Sequence, residues 1–211
     1  MSKNADLPKR LVVAFVLIGL AFAALYAGGL GFWLVVSVAG VLMMGEWALL
    51  AGANFRGKRL AQYAVSVPLA AMAPDLAAGP GFLALGLIIG AFFFLMIVTR
   101  RAQLAFGAFY VGLPILALVL LREQPEHGLL LTFWAMALVW ACDSAAYFAG
   151  RAIGGPRLAP AISPNKTWAG FLGGMAGATL FAFALVWLCA LPAALAWATP
   201  VLAVQIGRAH V

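Results

Sequence analysis

Hydrophobic positions in this chain run together in long blocks instead of alternating. From Leu11 to Gly45 there is no charged residue. As a single helix that run would be about 52 Å long at 1.5 Å per residue, against a hydrocarbon core of ~30 Å. It is therefore expected to break, at Gly28-Gly29, into helices over 11–27 and 30–51. Further apolar blocks predict spans over 60–77, 81–98, 103–121, 128–149 and 168–190. One more apolar segment begins near Pro192 and has barely enough residues to cross. The predicted fold is all-α: a polytopic transmembrane helix bundle of about seven or eight spans. A β-barrel would need alternating segments of ~10 residues, and the chain has none of that character. No internal repeat is evident.

The polar residues between the blocks carry orientation. Lys3, Lys9 and Arg10 precede the first span, and Arg56, Lys58 and Arg59 follow the second. Arg100 and Arg101 follow the fourth; Arg151, Arg157 and Lys166 follow the sixth. With a cytoplasmic N-terminus all four groups fall on the cytoplasmic side, as positive-inside topology requires. The opposite loops hold Asp75, Glu123 and Glu126, with Arg122 the lone basic exception. This places the segment from about 150 to 167 in the cytoplasm.

Composition agrees. The chain is 66% hydrophobic and 9% charged, with mean hydropathy +1.07, far from the ~25% charge of soluble domains. A net charge of +7 raises the question of nucleic acid, but its placement between spans is explained by membrane topology, and no nucleic-acid partner is expected. Cys142 and Cys189 lie in or beside apolar spans without metal-ligand spacing, so both read as packing residues. The basic, apolar N-terminus lacks a signal-peptide cleavage region and reads as a retained first helix.

Candidate chemistry gathers at 143–174. Asp143 sits at the end of an apolar run, with Ser144 beside it and Tyr147 one turn on. An ionisable group in a span costs about 2.5–3.5 kcal/mol to insert and so faces protein or water. It reads either as an interfacial acid paired with Arg151 or as a ligand or metal contact. Glu46 is a second acid near a helix end, for which arginine pairing is at least as good a reading as catalysis. Gly150, Gly154, Gly155, Pro156, Pro160 and Pro164 rule out a long helix and predict a turn-rich loop. Ser163 before Pro164 reads as a helix N-cap with proline at the first helical position, and Thr167 as a second candidate cap. Either start offers free N–H groups to an anion, with Lys166 adding charge and Arg151 and Arg157 forked donors. Ordinary capping and positive-inside charge account for the same residues without a ligand. Gly170, Gly173, Gly174 and Gly177 hold two GxxxG spacings and read as a close-packing face. His127 has no partner at metal spacing.

The stretches D-S-x-A-Y-x-x-G-R (143–151) and L-A-P-x-I-S-P-x-K-T-W-x-G-F-x-G-G (158–174) resemble the phosphatidate cytidylyltransferase (CDP-diacylglycerol synthase) family. The likeness covers about 30 residues. It implies transfer of CMP from CTP to phosphatidate, giving CDP-diacylglycerol and pyrophosphate. It also implies Mg²⁺ as divalent metal and an integral membrane enzyme of the bacterial inner membrane with its site in the cytoplasm. Lys166 and Asp143 are then the catalytic candidates, Asp143 also a metal ligand. Ser163, Asn165, Thr167, Arg151 and Ser144 are the nucleotide- or phosphate-binding candidates.

The chain departs from the family pattern at Ala145, where glycine is usual, and at Ala169, where an acidic or amide residue is usual. A later signature, with K-D, H-G-G and D-R-x-D, supplies the family's main metal-binding aspartates and does not occur here. The final residues, QIGRAHV, interrupt an apolar span and read like a translated sequencing adapter. Residues 1–204 are thus read as one incomplete membrane-embedded domain and 205–211 as an artefactual tail, and the 211-residue chain is expected to be inactive. The competing readings are a small transporter or channel lined by Asp143 and Glu46, and a CTP-dependent enzyme acting on a polyprenol or other isoprenoid lipid. Homodimerisation through the glycine-rich helix is also open, since the same spacing serves packing within one subunit.

Overall fold

The structure, a computed structural model, describes residues 7–160, 163–189, 192–195, 197 and 199. The segment after Pro192 lies largely outside the described residues, and 205–211 entirely so. Among the described residues up to Leu188, seven helices follow one another: α1 (Leu7–Ala27), α2 (Gly29–Leu50), α3 (Phe55–Ala71), α4 (Phe82–Thr99), α5 (Ala102–Arg122), α6 (Gly128–Ile153) and α7 (Trp168–Leu188). Five of them (α2, α4, α5, α6 and α7) are long and apolar enough to cross a membrane. Between α6 and α7 runs an antiparallel pair, β1 (Arg157–Ala159) and β2 (Ser163–Thr167). The chain divides into two compact units, Met1–Leu129 and Leu130–Val211. It is an integral, multi-pass membrane protein.

In the first unit α2, α3, α4 and α5 pack on one another, and α1 lies against α2. The centre is α5, whose buried residues Leu104, Ala108, Val111, Ile115 and Val119 recur every three or four positions. Two of its glycines admit large neighbours. A methyl on Gly107 would lie 2.8 Å from the Met44 side chain, and one on Gly112 would lie 2.9 Å from Ile88. The expected break between the first two helices is present. Gly28 and Gly29 both take positive φ, 64° and 47°, the left-handed region that glycine enters without penalty.

Expectation and structure part at the third helix. The predicted span over 60–77 is instead α3, starting five residues earlier because Asn54 caps it, its Oδ1 accepting from the Gly57 N–H at 2.8 Å. Arg56, Lys58 and Arg59 therefore sit in the first turns of a helix, not in a loop.

The second unit is built on two matched stripes. Trp134, Leu138 and Cys142 on α6 and Ala178, Ala182 and Val186 on α7 form one buried cluster, each set at four-residue intervals. Rows of that spacing are the ridges through which helices interdigitate.

Candidate active-site segment

The α7 stripe continues toward its start as glycine. A methyl on Gly174 would lie 3.0 Å from the Cys142 carbonyl, and one on Gly170 would lie 3.0 Å from the Ala146 carbonyl. Gly173 and Gly177 face the methyls of Ala149 and Ala145. The glycine face is thus filled within the chain by α6, as the packing reading expected. Ala145, a departure from the family pattern, has its methyl where Gly177 lacks one.

At the end of this seam α6 and the α7 cap meet. A methyl on Gly150 would stand 3.2 Å from Thr167 Oγ1. Helix α6 stops at Ile153 because Gly154 and Gly155 turn the chain with φ of 66° and 93°. The Gly154 N–H closes the last turn on the Gly150 carbonyl at 3.1 Å. The chain then forms the hairpin, pairing Arg157 with Thr167 and Ala159 with Ser163 around an irregularity in register. The Trp168 N–H donates to the Pro156 carbonyl at 3.1 Å and locks the hairpin base to the helix.

Two expectations are corrected here. The turn-rich loop contains a two-stranded ladder, and Ser163 is not an N-cap. Ser163 and Pro164 belong to β2, whose pairing with β1 holds the backbone extended until Thr167. The cap is Thr167, the second candidate: its backbone is extended (φ −116°, ψ 155°) and its Oγ1 accepts from the Gly170 N–H at 3.1 Å. The supply of free amides is also smaller than expected. Of the first three N–H groups of α7, Trp168 is bonded to Pro156 and Gly170 to Thr167. That leaves the N–H of Ala169, half-buried in the first turn, as the one these bonds do not consume.

Positive side chains surround this cap. Lys166 is half-buried directly before it and makes no hydrogen bond or ion pair with another described residue. Arg157 and Arg151 are exposed. Arg151 Nη1 donates to Tyr147 Oη at 2.8 Å, a pairing one helical turn apart that the sequence reading did not assign. The signal for it was the four-residue spacing. Asp143 and Ser144 are exposed on α6, and Asp143 lies about two turns before Gly150, roughly 10 Å along the axis at 1.5 Å per residue. Asn165 is within β2. Thus Thr167 and the Gly150–Arg151 turn are brought together, whereas Asp143 stands deeper along the same helix. Among the described residues no cluster of three or more His, Cys, Asp or Glu forms. Asp143 is a single carboxylate, and Mg²⁺ accepts one or two protein carboxylates when phosphates complete its shell. The donor is of the right kind for Mg²⁺.

Residues 8–209 match the model of a cytidylyltransferase family. The chain is 36% identical over 210 residues to the phosphatidate cytidylyltransferase of Brucella suis biovar 1 (strain 1330), covering 96% of this chain and 75% of that relative. It is 33% identical over 186 residues to the Pseudomonas aeruginosa (strain PAO1) protein of the same name, covering 81% and 67%. Against that of Haemophilus influenzae (strain Rd) identity is 45% over 78 residues, covering 37% and 27%. No solved structure matches. The seam, the hairpin and the capped basic helix start thus occur in a chain that belongs to the cytidylyltransferase family.

Proposed function

We propose that this chain serves the transfer of CMP from CTP to phosphatidate, forming CDP-diacylglycerol and pyrophosphate at the bacterial inner membrane, with the hairpin on the cytoplasmic side. A phosphate oxygen of phosphatidate attacks the α-phosphorus of CTP while the bond from that phosphorus to the β-phosphate oxygen breaks. Such a displacement needs charge neutralisation and in-line placement more than covalent help. The observation that carries the proposal is the half-buried Lys166, without a hydrogen-bond or ion-pair partner among the described residues, immediately before the Thr167 cap.

Roles follow from the hydrogen bonds. Thr167 Oγ1 already accepts from Gly170, so its hydroxyl proton is the part left to donate to a phosphate oxygen. Lys166 neutralises phosphate charge as a point cation. Arg151, one donor held by Tyr147, has its remaining donors for a second phosphate oxygen. Ser163, Ser144 and, by its place in the sequence, Asn165 are assigned as further phosphate- or nucleotide-binding residues. Asp143 would hold Mg²⁺, which when bound neutralises the triphosphate and its pyrophosphate leaving group.

The test is formation of labelled CDP-diacylglycerol from α-labelled CTP and phosphatidate, in membranes of cells expressing the gene that encodes this chain. Lys166→Ala is expected to cut the rate about 100-fold or more, the scale of losing one charge-stabilising donor. Full turnover with Lys166→Ala would remove Lys166 from the site.

A further inference from the structure

The first unit carries a separate cationic cleft. Where α2 and α4 end and α3 and α5 begin, a cavity of about 510 Å³ opens, within the ~300–1,000 Å³ range of small-molecule sites. Arg56 and Arg101 supply its charge, Leu60, Val98 and Leu104 much of its wall, and among the described residues no acidic or aromatic side chain lines it.

The two arginines are in different states. Arg101 is committed to the fold, its Nη1 donating to the Gly52 carbonyl at 3.0 Å and its Nη2 to that of Ala51 at 2.7 Å. Arg56 is exposed and makes no hydrogen bond or ion pair with another described residue. Arg59, on the same helix, is satisfied differently: it donates to Tyr63 Oη at 3.3 Å and lies 5.0 Å from the Phe55 ring centroid. The other polar groups nearby are spent, Asn54 Oδ1 on the Gly57 N–H and the Thr99 hydroxyl on the Leu95 carbonyl. Positive-inside topology explains why an arginine stands at a helix end. It does not explain a guanidinium without a partner among the described residues over an apolar-walled cavity.

We propose that this cleft holds the phosphate headgroup of an anionic diacyl lipid, with Arg56 as its forked donor and Arg101 adding field. A guanidinium without an acidic neighbour selects phosphate acceptors. The lining excludes a nucleotide as the better ligand, because it offers no ring to stack a base. The apolar wall suits acyl chains instead: Val98 is 54% exposed at the end of the apolar helix α4. Two cations favour a dianionic phosphate monoester over a zwitterionic head. This inference rests on the membrane placement of these helix ends and not on CMP transfer.

The experiment is lipid retention by the purified protein, measured by native mass spectrometry without CTP. The probes are dioleoyl phosphatidate and dioleoyl phosphatidylcholine, with inorganic phosphate as competitor. Arg56→Gln is expected to weaken phosphatidate retention roughly five- to tenfold, Arg56→Lys to restore part of it, and Arg59→Gln to leave it unchanged. Phosphatidylcholine retention should not respond to any of the three. Unchanged phosphatidate retention in Arg56→Gln would overturn the proposal, as would an equal loss in Arg59→Gln. Displacement of the lipid by inorganic phosphate as readily as by phosphatidate would also overturn it, by showing a free-phosphate site. Because no turnover is measured, these outcomes stand whether or not the CMP-transfer reading survives.

Discussion

Arg122 donates from Nε to the carbonyl of Leu25 at 2.8 Å, across 97 positions of sequence. Its Nη2 reaches the Tyr26 carbonyl at 3.2 Å. These are last-turn carbonyls of α1, the groups a helix leaves unpaired and at the negative end of its dipole. Arg101, immediately before α5, binds the carbonyls of Ala51 and Gly52, the two residues that follow α2. The one basic residue at odds with the charge pattern is therefore a helix cap. Arg122→Ala should lower stability by about 1.5–3 kcal/mol, the range for hydrogen bonds to charged groups. Thermal unfolding of the detergent-solubilised protein reads this directly, and an unchanged midpoint would mean the contact contributes nothing.

The cap on α7 separates two functions of one hydroxyl. Thr167→Ala removes the bond to the Gly170 N–H and should cost about 1 kcal/mol of stability. Thr167→Ser keeps the oxygen and should retain both stability and CMP transfer. If Thr167→Ser lost activity with stability intact, the methyl rather than the hydroxyl would be the needed group.

Glycines in this chain fall into two classes that substitution distinguishes. Gly174→Leu forces a side chain against the Cys142 carbonyl and the Ala146 methyl and should prevent α6 and α7 from packing. A methyl at Gly86 or Gly90 meets nothing within 4 Å, so alanine there should be neutral or stabilising. Protein yield and thermal midpoint in detergent report both, and similar losses in the two classes would contradict the packing described.

Tyr147→Phe deletes the partner of Arg151 without touching its charge. The freed guanidinium is less well aimed, so KM for CTP should rise several-fold with kcat largely kept. A fall in kcat at constant KM would instead place Arg151 at the transferring phosphate.

Much of the fold was legible because a bilayer demands long uncharged helices. The length of the uncharged run required a break and the glycine pair placed it at Gly28-Gly29, while the four-residue glycine spacing marked a close-packing face on α7 without naming its partner. The cap was legible only as a pair of candidates. Ser163-Pro164 satisfied the local rule for a helix start as well as Thr167 did, and only the cross-strand pairing of β2 with β1 decides between them. The cleft at Arg56 was invisible for a similar reason. Its walls come from three helices and the residues that join them, and a guanidinium's lack of a partner among the described residues is a property of the fold.

Only Gly154, Gly155 and Pro156 separate the last residue of α6 from β1, and nothing separates β2 from α7. Four Cα steps extend at most about 14 Å at ~3.6 Å each. The hairpin is thus on a short leash at one end and welded at the other, and it cannot swing out to collect a distant nucleotide. On the proposed function, substrates travel to it: CTP by diffusion through water, the lipid sideways through its leaflet. The meeting point is set by the depth at which α6 ends.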